Sequence, residues 1–285
     1  MDTLLPLEPL FVREGGEVLP LTGALAQIFA PLSLHLPADP PYVIGNFVTT
    51  LDGVVSLDAA GVTGGGDISG FNRHDLALLG LLRATADAVI VGAGTMRIET
   101  QHLLTHEAVM PELQVDYQAL RSRLGKTALP WNVIVTAHGQ LDLSVPAFQG
   151  EKAPVVVVTT KRGLERLKQQ TWLPSLHVVA AQDDGDLTAA AILAVVAEVC
   201  QGSVWLVEGG SHLMGSFLAE ERLDELFLTL APQIAGRNEQ VDRPGFVAGQ
   251  LFAPAHPLWS ELAAVRRGGD HLFLRYRLKH ASETK

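Results

Sequence analysis

Five short apolar runs constrain this chain more than anything else in it: "DAVIVG", "WNVIVT", "APVVVVTT", "LHVVAA" and "SVWLVEGG". Most of them are continuous rather than alternating, the mark of strands covered on both faces. Helical patterns intervene at 162–170, 187–200 and 212–221. Within 71–86, Leu76, Leu79 and Leu82 form one stripe that Leu78 and Leu81 widen. Strands and helices alternating in this way predict a mainly parallel α/β sheet with helices on its faces. After Asp224 the pattern changes. "DELFLTLAPQIAG" is followed by "SELAAVRRGGDHLFLRYRL", which predicts an antiparallel C-terminal hairpin turning at Gly268-Gly269.

Upstream, "YVIGNFVTTLDGVVSLDAAG" predicts strand–turn–strand with the turn at Leu51-Asp52-Gly53, and "GVTGGGDISG" predicts a loop without regular structure. Residues 1–41 are rich in leucine and proline and predict an N-terminal arm with one short helix at 21–29. With no Ser/Gly linker and no internal repeat after it, residues 42–285 predict one domain.

Composition excludes several classes. A formal net charge of −10 without a run of lysines or arginines argues against nucleic acid as partner. Cys200 is the only cysteine, which excludes a disulfide framework or a thiolate metal cluster within one chain. The most apolar stretch, 187–200, is shorter than the roughly 20 residues of a membrane span, and "MDTLLPLEPLF" carries an acid where a secretory signal needs a basic segment. A cytoplasmic, soluble protein with no membrane partner is expected.

Two strand–helix junctions carry glycine: Gly92-Ala93-Gly94-Thr95 and Glu208-Gly209-Gly210. Glycine beside a first helical turn lets a ligand approach the backbone, and the unpaired N–H groups there favour an anion. Two such junctions in one sheet point to a ligand with phosphates at the carboxyl ends of the strands. Each alone is equally an ordinary tight turn, and the first has Arg97 where a dinucleotide fingerprint has its third glycine. Asp52-Gly53 alone is a hairpin turn. Arg73 and Arg83 alone are solvated or helix-end charges. Ser211-His212 fails as a nucleophile elbow because position 213 is Leu, and His106 lacks the second histidine of a zinc helix. No metal site is expected.

Taken in order, "TTLDG", "ISGFNRHDLALLGLLRATADAVIVGAGTMR" and "VEGGSHLMGSFLAEERLDELFLTLAP" resemble the reductase domain of bacterial riboflavin biosynthesis. The resemblance runs from about residue 41 to the C-terminus, and "VGAGTMR" with "LFLRY" is most similar to the stand-alone pyrimidine reductase branch. It implies a dihydrofolate reductase-like fold and hydride transfer from NADPH to the ribose C1 of a phosphoribosylamino-pyrimidine. Two alternatives stay open, a reductase of a pterin such as dihydrofolate and a catalytically silent nucleotide-binding protein. The deaminase signatures of the bifunctional relatives, H-x-E and P-C-x-x-C, are not in this sequence.

The resemblance also implies roles. Thr49 and Thr50 fall where the family places nicotinamide, Gly92, Gly94 and Thr95 meet the cofactor, and Gly209 and Gly210 meet its pyrophosphate. Thr136, His138, Lys161 and Arg162 are the available partners of a 2′-phosphate. Arg73 holds the substrate phosphate. Asp52 and Glu208 line the substrate pocket, and with Glu99, which replaces the first acid of the relatives' Asp-Asp-Pro stretch, they are the candidate proton-handling groups. Valine at Gly209 or Gly210 is expected to block pyrophosphate and spare the fold. A homodimer is expected, because the apolar β runs near the C-terminus, "LFLTLAP" above all, leave an open sheet edge needing cover and relatives of the family pair there.

Overall fold

The computed structural model describes residues 4–13, 15–34, 41–57, 64–98, 104–149, 153–239, 241 and 243–279. Its strands are β1 (Glu8–Val12), β2 (Glu17–Val18), β3 (Ser33–Leu34), β4 (Tyr42–Thr49), β5 (Ala88–Gly92), β6 (Trp131–Thr136), β7 (Val155–Thr160), β8 (Leu176–Gln182), β9 (Val204–Val207), β10 (Glu225–Leu230), β11 (Ser260–Gly268) and β12 (His271–Leu278). Ten form one sheet in the order β1-β11-β12-β10-β4-β9-β5-β6-β7-β8, while β2 and β3 pair separately. From β10 through β8 every neighbour is parallel. The contacts β10–β12, β12–β11 and β11–β1 are antiparallel. The mainly parallel sheet and the C-terminal hairpin stand as the sequence predicts.

Helices cover both faces because the central strands are apolar on both. One face of β5, β6, β7 and β9 packs Val89, Val91, Ile134, Val157 and Leu206 against helices Gly23–Phe29, Arg73–Thr85 and Gln114–Arg123. The other packs Ile90, Val133, Val156, Trp205 and Val207 against helices Ala189–Val199 and Ser211–Ala219. Each fully buried Leu, Ile or Val is worth about 1.5–3 kcal/mol relative to exposure. Helix Arg73–Thr85 is fixed at both ends. Asn72 Oδ1 accepts the N–H groups of His74 (2.9 Å) and Asp75 (3.2 Å). At the other end the buried Arg121 donates to the carbonyls of Arg83, Ala84 and Ala86, which would otherwise lack partners.

Residues of the N-terminal arm are built into the fold: β1 is the outermost strand, and Leu25, Ile28 and Phe29 lie in the core. Three expectations need correcting. Val54 does not begin a second strand; it is buried against Ile68 and Ala231, and Asp52 turns the chain toward the 235–236 loop instead of into a hairpin. The glycine-rich stretch carries a short helix, Gly65–Ser69. The run Glu225–Leu230 leaves no open edge, because β10 lies between β12 and β4.

Candidate active site

The parallel strands all end on one side, so their carboxyl ends form a ledge in the order β4, β9, β5, β6, β7. At about 4.8 Å per strand the four intervals span about 19 Å, the scale of an extended dinucleotide. At the middle of the ledge the two glycine junctions meet. Gly92 N–H donates to the Gly209 carbonyl (2.9 Å), and Glu208 N–H donates to the Ile90 carbonyl (3.0 Å). A Cβ on Gly210 would meet open space, so a ligand can reach this backbone directly. Gly209 differs. Its φ is +124°, a region L side chains rarely adopt. Equal tolerance of valine at the two positions is therefore wrong, since Gly209 is a glycine by backbone necessity.

Left of this cradle, at the end of β4, Thr49 and Thr50 are both buried. Thr50 Oγ1 donates to Asp52 Oδ1 (2.6 Å) and accepts from Val54 N–H (2.9 Å). Asp52 also accepts from Ala235 N–H (3.0 Å) and Gly236 N–H (2.8 Å). The Thr50 hydroxyl, followed by these backbone donors, holds the Asp52 carboxyl well below the usual carboxylate range. Asp52 thus ties the β4 end to the long segment after β10. That segment lays Phe246 edge-on to Phe47, centroids 5.0 Å apart, and takes the Ser211 hydroxyl on the Gly245 carbonyl.

Glu208 lies behind the cradle in a two-pronged pair with Arg83: Nε–Oε1 2.8 Å and Nη2–Oε2 2.7 Å. Their side chains are 6% and 9% exposed. Arg83 Nη1 also donates to the Thr105 carbonyl (3.3 Å). Arg83, which sequence alone leaves as a helix-end charge, is therefore part of the site's wall. Only the strand topology brings it to a residue 125 positions away.

The remaining expected residues are spread along the ledge. Thr95 lies in helix Ala93–Ile98, directly after β5. Thr136 ends β6, its carbonyl taken by Thr159 Oγ1 (2.6 Å), and His138 is exposed just beyond. Lys161 and Arg162 are exposed and paired with Asp183 (2.6 Å) and Asp184 (3.6 Å). Arg73, the first residue of its helix, meets Glu112 at 3.1 Å. Glu99 lies outside the described residues.

One cluster has no signal in the sequence beyond the helix-capping pattern Asn72…Asp75. Because Asn72 Oδ1 serves as the cap, its Nδ2 faces His271 Nδ1 (3.0 Å), and His271 Nε2 meets the Ser69 carbonyl (2.9 Å). The amide orientation makes Nδ1 the acceptor and Nε2–H the donor. Asp75 lies beside Thr229, Ser69 and His271, and burial pushes its carboxyl up.

A glycine-floored ledge across a mainly parallel sheet, with an antiparallel hairpin extending one edge, defines the dihydrofolate reductase-like class. The chain belongs to the RibD C-terminal domain family, whose model matches residues 41–270. It is similar to two archaeal proteins, both named 2,5-diamino-6-ribosylamino-4(3H)-pyrimidinone 5′-phosphate reductase. That of Archaeoglobus fulgidus is 24% identical over 212 residues, 74% of this chain and 88% of the relative. That of Methanothermobacter thermautotrophicus is 27% identical over 247 residues, 84% and 99%. Among solved structures it is similar in fold to a pyrimidine reductase-like protein of Corynebacterium diphtheriae (TM-score 0.64, 22% identity, 84% of this chain and 92% of that one). It is also similar to a deaminase/reductase of Thermotoga maritima (TM-score 0.59, 23% identity, 84% and 57%). No helix among the described residues is long and apolar enough to cross a membrane.

Proposed function

We propose that this chain is an NADPH-dependent reductase of a phosphoribosylamino-pyrimidine, the substrate class named for its archaeal relatives. The observation that carries the proposal is the cradle where Gly92 N–H clasps the Gly209 carbonyl with open space above Gly210. That cradle admits a pyrophosphate against the backbone, which is why the residues fit a dinucleotide.

Held by the cradle residues, a reduced nicotinamide cofactor would supply a hydride to ribose C1. In the overall change C1 gains that hydride, the bond from C1 to the ring oxygen breaks, and the oxygen takes a proton, leaving a ribityl chain. The protein's own part is placement and charge. Thr49, Thr50 and Asp52 shape the β4 end, with Asp52 held as an anion by Thr50, Ala235 and Gly236. Glu208, aligned by Arg83, presents a fixed wall behind the cradle. Arg73, at the start of its helix, is the cation proposed for the sugar phosphate. Gly94 and Thr95 flank the cofactor past β5. Thr136 and His138 would border its adenosine end, with Lys161 beyond them.

The deciding experiment follows loss of NADPH absorbance with deaminated and non-deaminated phosphoribosylamino-pyrimidines and with dihydrofolate. Turnover of either pyrimidine supports the proposal. Turnover of dihydrofolate alone replaces it with a pterin reductase, and NADPH binding without turnover of any of the three replaces it with a silent nucleotide-binding protein.

A further inference from the structure

The ledge is chemically lopsided. Its β4 end carries the Asp52 carboxylate, and the Glu208 carboxylate at β9 already holds the Arg83 guanidinium, so an extra phosphate on a dinucleotide fits better beyond β5. The two cations that sequence offers there, Lys161 and Arg162, lie at the far β7 end and already face Asp183 and Asp184. Arg97 is better placed. It is exposed in the last turn of helix Ala93–Ile98 and folds back across the glycine junction, its Nη2 3.6 Å from where a Cβ on Gly94 would stand. Its Nη1 reaches the Gln140 carbonyl (3.4 Å), in the loop after β6. The guanidinium therefore bridges the β5 and β6 ends, one strand along from the pyrophosphate cradle.

The anchor it reaches is rigid. Thr160 Oγ1 donates to the Ala137 carbonyl (2.7 Å), and Gly139 approaches so closely that a Cβ there would lie 2.3 Å from the Gly163 carbonyl oxygen. Guanidinium carries five N–H donors in a flat fork suited to phosphate. Among the described residues one long hydrogen bond to Gln140 is what Arg97 makes, and no ion pair engages it.

On the reading of this chain as an NADPH-binding reductase, we propose that Arg97 is the specificity-determining residue that recognises the 2′-phosphate of the adenosine ribose, with Gln140 holding its fork between the β5 and β6 ends. Lys161 and Arg162 contribute less, because binding there must first displace Asp183 and Asp184.

The test is titration calorimetry of the whole chain, its Arg97→Gln and Arg97→Lys variants, and a Lys161→Gln/Arg162→Gln double variant. The ligands are NADPH, NADH, 2′,5′-ADP and 5′-AMP. The expected result is that Arg97→Gln weakens NADPH and 2′,5′-ADP by about 10- to 100-fold. NADH and 5′-AMP stay within about twofold, which also shows that the variant is folded. Arg97→Lys keeps part of the preference, and the double variant loses less than Arg97→Gln. Equal losses for NADPH and NADH, or no loss, overturn the assignment, as does a larger loss in the double variant. A parent that binds NADPH and NADH equally overturns it too and leaves the reductase reading standing. A parent that binds neither dinucleotide overturns both.

Discussion

Arg83 and Glu208 meet through two hydrogen bonds, 2.8 and 2.7 Å, with both side chains nearly closed to solvent. The pair ties the C-terminal part of helix Arg73–Thr85 to the residue directly before the Gly209-Gly210 cradle. A buried ion pair is weak evidence for net stability, but breaking one strands a charge and costs about 3–5 kcal/mol. Arg83→Met and Glu208→Leu should therefore each lower the urea midpoint strongly. The double variant should recover much of that loss without recovering turnover. If the double variant regains full activity, the pair is only scaffolding.

The two adjacent glycines should separate. Gly210→Val places its Cβ in open space and should weaken NADPH binding at least tenfold while unfolding like the parent. Gly209→Ala forces a side chain at φ +124° beside the Phe47 ring, 3.3 Å away, and should lose stability by about 1–3 kcal/mol. Calorimetry and denaturant melts read the two effects separately. Unchanged NADPH affinity in folded Gly210→Val would place the pyrophosphate elsewhere.

Much of this architecture is legible in the chain. Val155–Thr160 and Ala88–Gly92 are apolar on both faces, so they can only be interior strands, and the hairpin around Gly268-Gly269 follows from its turn. What escapes are relationships made by topology. Arg83 looks like a helix-end charge until β9 lies beside β5 and brings Glu208 to it. Arg97 registers only as the residue that spoils a fingerprint, because its value depends on Gln140, in a loop no local pattern places beside it. Asp52 misleads for a related reason. Asp-Gly is a hairpin signal locally, but the partners that decide its conformation, Ala235 and Gly236, arrive from beyond β10.

Acid stability should depend on His106. It is fully buried, with neither ring nitrogen hydrogen-bonded among the described residues. Burial first, and then the positive charge of Arg121, push its pKa down from 6.5 to about 4. Arg83 adds to the depression and Glu107 opposes it. Between those values the unfolded chain binds a proton that the folded one refuses, so stability falls as pH drops from about 6.5 toward 4. At pH 5 the loss is about 2 kcal/mol. His106→Phe should flatten the decline in melting temperature from pH 7 to pH 5. An equally steep decline in that variant would assign the acid sensitivity to other groups.

A homodimer remains the expected assembly, on different grounds from an open β10 edge. Leu228 and Leu230 of β10 lie on one sheet face beside Leu272, Leu274 and Tyr276 of β12, all only half-buried. Set against the same stripe of a second copy, these side chains would lose their remaining contact with water. Light scattering at micromolar concentration should give twice the chain mass, and Leu274→Glu should reduce it to one. A monomeric parent removes the expectation.

The last prediction concerns Asp52. Three donors converge on its carboxylate, the Thr50 hydroxyl and the N–H groups of Ala235 and Gly236. They hold its folded pKa below the ordinary carboxylate value. A depressed carboxylate contributes stability above its unfolded pKa and loses it only as pH falls through the folded value, so Asp52 stays charged throughout the neutral range. It is therefore a fixed anion rather than a proton donor. In Asp52→Asn the amide presents N–H groups toward one of the backbone donors and loosens the tie between the β4 end and the 235–236 loop. Turnover should fall by about 10²-fold through misplacement of the β4 end while NADPH affinity holds, since the cradle at Gly92 and Gly209 is untouched. The fall should also be the same factor at every pH between about 5 and 9. A kcat profile in which the substitution removes an inflection near neutrality would show that Asp52 titrates during the reaction, and the fixed-anion role would be wrong.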